Sequence, residues 1–251
     1  MRPFLAALQF LTVIPLPGCR PACPEELERA FPYYPLVGLI IGGFLAIVDA
    51  GLRQIFPLFL TSVILVVMLL LISGGLHCDG LADTADGFFS SRPREQILHI
   101  MKDSRTGPMG VMAVVAVILL KVAAFTAVPA PVRWWTLLFT PSAAYVAMML
   151  NVALLRYARA EGGLGGIHAR RRYVPQVFGV SLLLLAAGGL AGGRAGFCAV
   201  AGTLLVGLLL AAYAQHKIGG YTGDTLGAVY EIAGIVPALA AAAWDAGRMA
   251  L

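Results

Sequence analysis

Four long apolar runs decide what this chain can fold into. They are Pro57–Leu76, Pro108–Val128, Trp134–Leu155 and Ala195–Ala214. Each holds at most one charged residue, and a helix of about 20 such residues crosses about 30 Å of hydrocarbon. Hydrophobic residues make up 59% of the chain and charged residues 12%, with a mean hydropathy of +0.85, far from the composition of a water-soluble domain. The sequence therefore predicts an all-α, polytopic integral membrane protein.

Three further runs are weaker as membrane spans. Tyr34–Leu52 contains Asp49, Tyr173–Leu190 is short, and Leu226–Trp244 contains Glu231. Together with the four strong runs they predict about seven transmembrane helices. We treat residues 1–251 as one integral membrane domain, in which an N-terminal segment, 1–33, precedes a transmembrane bundle, 34–251.

The first eleven residues show the spacing of an amphipathic helix. Phe4, Leu5, Leu8 and Leu11 fall on one side at helical spacing. This pattern predicts an interfacial helix in the headgroup region. A helix packed as a cap on the bundle fits the same spacing equally well.

The basic residues predict the orientation in the membrane. Seven spans place 13 of the 18 lysines and arginines in the N-terminal segment and in the loops 77–107, 156–172 and 215–225. Only four lie in the alternate loops and the C-terminus, and Lys121 lies inside a span. Because short loops rich in Lys and Arg stay in the cytoplasm, the N-terminus and these three loops are predicted to be cytoplasmic.

An acidic block follows the second predicted span. Asp79, Asp83 and Asp86 stand at positions i, i+4 and i+7, so a helix would place the three carboxylates on one face. A divalent cation would relieve their repulsion, and an oxygen-rich site suits Mg²⁺ together with substrate phosphates. Solvated aspartates or helix caps are the alternative. His77, at the edge of the span, fits a base, a metal ligand or an interfacial histidine.

Residues 101–110 are candidates for binding phosphate. Lys102 and Arg105 supply positive charge, Ser104 supplies a neutral donor, and Asp103 lies between them. Pro108 opens the next span, whose N-terminal dipole favours an anion. A juxtamembrane basic turn that only sets the topology explains the same residues.

A second glycine-rich loop, Gly219–Gly227, precedes the last span. Thr222 and Gly223 are further candidates for binding substrate, and Asp224 is a candidate metal ligand across the bundle. Glu231 lies seven residues beyond Asp224, inside a span, where a carboxylate is usually functional. The basic loop 156–172, with its three consecutive arginines, suits anionic lipid or an anionic substrate.

With these residues in place, the chain resembles the cobalamin synthase family, the adenosylcobinamide-GDP ribazoletransferases. Six landmarks in the same order carry the resemblance, and the aspartate block and the Thr-Gly-Asp loop are the specific ones. The six stretches are Phe10–Pro17, Tyr34–Gly42, Asp79–Gly87, Met101–Gly107, Tyr157–Gly163 and Gly219–Gly227.

The resemblance implies a Mg²⁺-dependent transfer at the cytoplasmic (inner) cell membrane, in nucleotide loop assembly of cobalamin biosynthesis. Adenosylcobinamide-GDP would react with α-ribazole or its 5′-phosphate, and GMP would leave. The resemblance implies no nucleic-acid partner. It makes other corrinoid-assembly enzymes candidate partners. By likeness, Asp79, Asp83, Asp86 and Asp224 would hold metal, with Asp83, Asp86 and Asp224 also catalytic. Lys102 and Arg105 would bind the GDP phosphates.

Two other functions fit part of the pattern. CDP-alcohol phosphotransferases also carry aspartates in a helical membrane bundle, but the long aspartate spacing typical of them is not present here. A divalent-cation transporter would use the aspartates as a permeation site. That function requires carboxylates at mid-membrane depth, whereas Asp79–Asp86 are expected to follow an unbroken span and to begin a loop.

Overall fold

The computed structural model describes residues 2–16, 18, 20–159, 165–167 and 173–249, with side chains to residue 244. Most of the expected loop 156–172, including Arg170, Arg171 and Arg172, lies outside these ranges. The described chain forms eleven α-helices: α1 Arg2–Leu11, α2 Pro24–Ala30, α3 Tyr34–Leu52, α4 Leu58–Ile72, α5 Leu76–Phe88, α6 Arg94–Ile100, α7 Pro108–Ala127, α8 Ala130–Leu154, α9 Val174–Ile218, α10 Gly223–Ala233 and α11 Val236–Met249.

Several of these helices are long and apolar enough to cross a membrane. In the described part of the chain five segments qualify, and α4 with α5 adds a sixth if this bent pair counts as one span. The five are Pro24–Leu52, Pro108–Ala127, Ala130–Leu154, Val174–Ile218 and Gly223–Trp244. The predicted all-α, multi-pass membrane fold is confirmed, whereas the count of seven is not.

Helix α9 is broken at Gly193, which adopts φ 59° and ψ −142°. A Cβ atom added to Gly196 would lie 2.1 Å from the carbonyl oxygen of Gly188. Residues eight apart in a straight helix are separated by about 12 Å, so the chain reverses direction at the break. The two arms overlap the predicted runs Tyr173–Leu190 and Ala195–Ala214. A count of seven requires each arm to cross by itself, and it stays a prediction.

The expected continuous span Pro57–Leu76 is wrong at its C-terminal end. Helix α4 ends at Ile72, and α5 departs from it at 88°. Gly74 and Gly75 make this turn with φ of 61° and 77°, a conformation that glycine adopts without a steric penalty. The aspartate block therefore lies on a helix and not in a loop. With 13 residues, α5 is too short to cross a bilayer, and we do not treat it as a membrane span.

Two glycines let α5 pack closely against α10. A Cβ atom on Gly80 would lie 2.7 Å from the carbonyl oxygen of Asp224, and one on Gly227 would lie 2.9 Å from that of His77. Real side chains do not fit at such distances, so the two backbones touch where the helices cross. This crossing places the start of α10 beside the acidic face of α5.

Charged residues inside the bundle are paired. Arg133 donates from Nε to Asp49 at 2.7 Å, and Asp49 also accepts from Arg53 at 2.8 Å. Lys121 on α7 forms a buried ion pair with Glu231 on α10. Pairing offsets the loss of hydration that makes a lone buried charge unstable. Glu231, which the sequence marks as functional, therefore has a structural partner that the sequence did not indicate.

The N-terminal helix is confirmed, and one side of it packs against the bundle. Ala6, Ala7 and Leu11 are buried, and Phe4 and Leu8 pack against the main core. These contacts support the cap, while a position in the headgroup region stays a prediction.

Candidate functional site

Three carboxylates lie near the crossing of α5 and α10. Asp79 is exposed, and Asp83 and Asp224 are partly buried. Burial first, and then the nearby charges of Asp79 and Asp224, raise the pKa of Asp83 to about 7, although the charge of Arg159 acts in the opposite direction. The structure thus places Asp79 and Asp83 on one helix with Asp224 near enough to affect the pKa of Asp83, and a shared metal site stays a prediction. The site holds negative charge that a bound cation would stabilise.

Asp86 has a different environment from the other aspartates of α5. Its two carboxylate oxygens accept hydrogen bonds from the backbone N–H groups of Gly107 at 2.6 Å and Gly110 at 2.8 Å. These N–H groups lie at the start of α7, where no intrahelical acceptor is available. Asp86 thus caps α7 from a neighbouring helix. The alternative to metal binding named in the sequence analysis, a helix cap, therefore fits the contacts of Asp86.

Arg159 contributes a cation that the sequence did not assign to the acidic site. Its Nη2 donates to Oδ2 of Asp224 at 2.6 Å and to the carbonyl oxygen of Met101 at 3.3 Å. A short backbone bridge holds the segment in place, with Tyr221 N donating to Arg156 and Ala158 N donating to Tyr221. In the sequence Arg159 is one basic residue among several in a loop, and only this long-range pairing singles it out.

The carboxylates do not form a preassembled metal site. Among the described residues no group of three or more His, Cys, Asp or Glu side chains is close enough to hold a metal ion. Asp224 is engaged by Arg159, and Asp86 by α7. Mg²⁺ is commonly held by one or two carboxylates together with substrate phosphates. The oxygen donors of Asp79 and Asp83 fit that kind of site, and a role in holding Mg²⁺ stays a prediction.

A groove beside the acidic face carries positive charge. It has a volume of about 330 Å³ and is lined by Arg94, Glu95, Leu98, His99, Lys102, Ala158 and Arg159. Arg94 is fixed within it, because its guanidinium donates to the carbonyl oxygens of Ile218 at 2.7 Å and Ala158 at 2.8 Å. Lys102, predicted to bind phosphate, is thus placed in the same groove as Arg159.

The other candidates in the 101–110 segment are placed differently. Arg105 donates to Asp103 at 2.7 Å, and 87% of its side chain is exposed. Hydrogen bonds from Arg105 lower the pKa of Asp103 to about 2. Ser104 is exposed as well. In this structure Arg105 is committed to its neighbour at the surface, so its expected role on phosphates stays a prediction.

Thr222 and Gly223 support Asp224. Thr222 is the N-cap of α10: its hydroxyl accepts from the backbone N–H of Thr225 at 3.2 Å and donates to Asp224 at 3.3 Å. Gly223 lines the cavity described next. These contacts fix the direction in which the Asp224 carboxylate points.

Asp79 stands between two cavities. One is partly enclosed, has a volume of about 200 Å³ and also contains Asp224 in its wall; we call it the enclosed cavity. The other is an open groove of about 890 Å³ between the ends of α1, α4, α5 and α7. His77 lines the enclosed cavity, where it is buried and its Nε2 lies 3.4 Å from the hydroxyl of Tyr145. The site therefore offers a small and a large compartment that share one carboxylate.

Comparison with known proteins extends over nearly the whole chain. The family model described as cobalamin-5-phosphate synthase matches residues 3–242. A Pseudomonas fluorescens protein is 41% identical over 92% of this chain and 95% of its own length. Proteins from Brevibacillus brevis and Roseiflexus sp. are each 38% identical, over 92% and 93% of this chain and 94% and 87% of their own. All three are named adenosylcobinamide-GDP ribazoletransferase. No solved structure matches the chain.

Proposed function

The chain belongs to the cobalamin-5-phosphate synthase family, and from that premise we propose that it is a membrane transferase that joins adenosylcobinamide-GDP to α-ribazole or its 5′-phosphate. The observation that supports this activity best is the contact between Arg159 and Asp224, which joins the cationic groove to the acidic face. Transfer from a diphosphate uses both surfaces, because cationic side chains bind the phosphate oxygens and carboxylates hold a metal ion beside them.

In the proposed reaction an acceptor hydroxyl oxygen forms a bond to the phosphorus that carries the cobinamide. The bond from that phosphorus to the bridging oxygen of the diphosphate breaks, and GMP leaves with the electron pair. The hydroxyl proton passes to a carboxylate. We propose that Asp79 or Asp224 receives it, because both carboxylates line the enclosed cavity.

Mg²⁺ is the cofactor that we propose for this site. Asp79 and Asp83 would hold it, and Asp224 would join them when Arg159 turns to the substrate phosphates. Bound there, the metal would supply positive charge to the phosphate oxygens. Asp86 would hold the start of α7 in place, a role that its two backbone hydrogen bonds support.

We place the site on the cytoplasmic face of the inner membrane. The support is the excess of Lys and Arg in the loops 77–107, 156–172 and 215–225, which carry the candidate residues. On that side the enzyme would receive its nucleotide substrates directly from the cytoplasm and could meet other corrinoid-assembly enzymes.

The test is turnover by the purified protein in liposomes. Adenosylcobinamide-GDP and α-ribazole are supplied with Mg²⁺ or with EDTA, and both GMP and the cobalamin product are measured. We expect equal amounts of the two products with Mg²⁺ and neither with EDTA. Product formed equally well in EDTA would remove the metal from the proposal. No product in Mg²⁺, from protein that melts cooperatively, would overturn the activity, and CDP-alcohol substrates and ion flux would be tested next.

A further inference from the structure

The enclosed cavity beside Asp79 is lined by two chemically different kinds of group. Phe10, Tyr34 and Met148 contribute apolar and aromatic surface. Asp79 and Asp224 contribute carboxylates. Such a cavity suits a ligand with a flat apolar part and hydroxyl groups, because the apolar part leaves water and the hydroxyls donate to the carboxylates.

Size separates the two substrates of the proposed reaction. A corrin macrocycle with its side chains is far too large for a cavity of about 200 Å³, whereas the open groove of about 890 Å³ lies on the other side of Asp79. The acceptor is an aromatic base on a ribose, a much smaller molecule. Of the two substrates, therefore, only the acceptor has a ring system, its aromatic base, that is small enough for the smaller compartment.

Charge restricts the ligand further. The described residues that line the enclosed cavity include two carboxylates and neither lysine nor arginine. A phosphate group inside it would face the carboxylates of Asp79 and Asp224, which repel its negative charge. Arg159 and the cationic groove lie beyond Asp224, outside the cavity lining. A phosphate on the acceptor is therefore expected to lie toward that groove, where Arg159 and Lys102 supply positive charge.

We propose that the enclosed cavity is the acceptor site, which binds the neutral aromatic base of α-ribazole against Phe10, Tyr34 and Met148 and directs its ribose hydroxyls toward Asp79 and Asp224. This inference rests on the proposed function for the identity of the acceptor. It adds a binding site for the acceptor on one side of Asp79 and leaves the open groove on the other side for the larger substrate.

The experiment fills the cavity without touching its carboxylates. Met148→Trp places a larger side chain among the apolar residues of the lining. If this variant does not fold, Leu226→Phe fills the cavity from α10 instead. The matched control is Ala113→Leu, which enlarges a side chain in a separate apolar cavity of about 310 Å³ between α5, α7, α9 and α10. Equilibrium dialysis measures α-ribazole binding to each reconstituted protein without donor and without Mg²⁺. Steady-state kinetics then gives the KM of each substrate.

Filling the cavity should weaken α-ribazole binding and raise its KM by about tenfold or more, a change of about 1.4 kcal/mol. The KM for adenosylcobinamide-GDP should stay within about twofold, and Ala113→Leu should change neither value. If a folded variant with the filled cavity bound α-ribazole as tightly as the wild type, the acceptor site would be overturned. The proposed function would still stand, provided that the wild-type protein made product. A wild-type protein that binds α-ribazole but makes no product would instead refute the proposed function alone.

Discussion

The Nη2 atom of Arg159 lies 2.6 Å from Oδ2 of Asp224, and this ion pair joins two surfaces of opposite charge. Arg159 is also part of the cationic groove, and Asp224 on α10 lies beside the acidic face of α5. Before substrate binds, the guanidinium neutralises a carboxylate that would otherwise repel Asp83 more strongly. A diphosphate with its metal offers each partner a new counter-ion, so binding and rearrangement of this pair are expected to be coupled.

Replacing Arg159 should lower activity without unfolding the protein. We expect Arg159→Gln to reduce kcat/KM by about 10- to 100-fold, the range found when a group that orients a metal ligand is removed. Arg159→Lys should recover only part of this loss, because an ammonium lacks the planar fork of the guanidinium. Wild-type kcat/KM in Arg159→Gln would show that the ion pair has no role in the reaction.

The coupling itself can be measured with a double-mutant cycle. Arg159→Gln, Asp224→Asn and the double variant are compared by kcat/KM. Residues that act through one contact give effects that do not add, so the double variant should be far less impaired than the product of the single effects predicts. Strictly multiplicative effects would indicate two independent roles.

Asp83→Asn should abolish turnover while leaving membrane insertion and thermal stability unchanged. The neutral amide cannot replace a carboxylate that is proposed to bind metal, and Asp83 has no structural ion pair among the described residues. The control is Glu25→Gln, an exposed change of the same chemistry in α2. Turnover and melting temperature are measured for both. An active Asp83→Asn protein would remove Asp83 from the mechanism.

Asp86→Ala tests whether this aspartate is a helix cap. Losing the acceptor for two backbone N–H groups should destabilise the protein by about 2 kcal/mol. We expect a lower melting temperature in detergent and partial activity well below the melting point. A variant that melts like the wild type and yet shows no turnover would contradict the capping role and would favour the metal-binding role that the sequence suggests.

The close crossing of α5 and α10 predicts that Gly80→Ala is harmful. Its Cβ atom would lie 2.7 Å from the backbone oxygen of Asp224, so the helices must move apart and carry Asp79 and Asp83 away from Asp224. We expect a loss of about 1–3 kcal/mol in stability together with a large loss of activity. Gly179→Ala is the control, because nothing lies within 4 Å of its Cβ position. If Gly80→Ala and Gly179→Ala were equally stable and equally active, close packing of α5 against α10 would not be required for stability or activity.

Composition and periodicity were sufficient for the features that depend on local sequence. The apolar runs, Pro108 at the start of α7 and the spacing of Asp79, Asp83 and Asp86 are each encoded within a few helical turns. The break before α5 was missed although Gly74 and Gly75 stand in the sequence, because apolar residues continue through Ile72 and Leu76 flanks the glycines. Hydropathy measures burial and does not record the direction of the chain.

The sequence by itself determined a multi-pass helical bundle, the spacing of its aspartates and the family to which the chain belongs. Only the tertiary structure decided which charge meets which. Asp86 caps α7, Arg159 pairs with Asp224, and Lys121 pairs with Glu231. The physical reason is that a helix face follows from spacing along the chain, whereas these partners are 21, 65 and 110 residues apart. Their contact depends on how the helices pack, and on glycines that let two backbones touch.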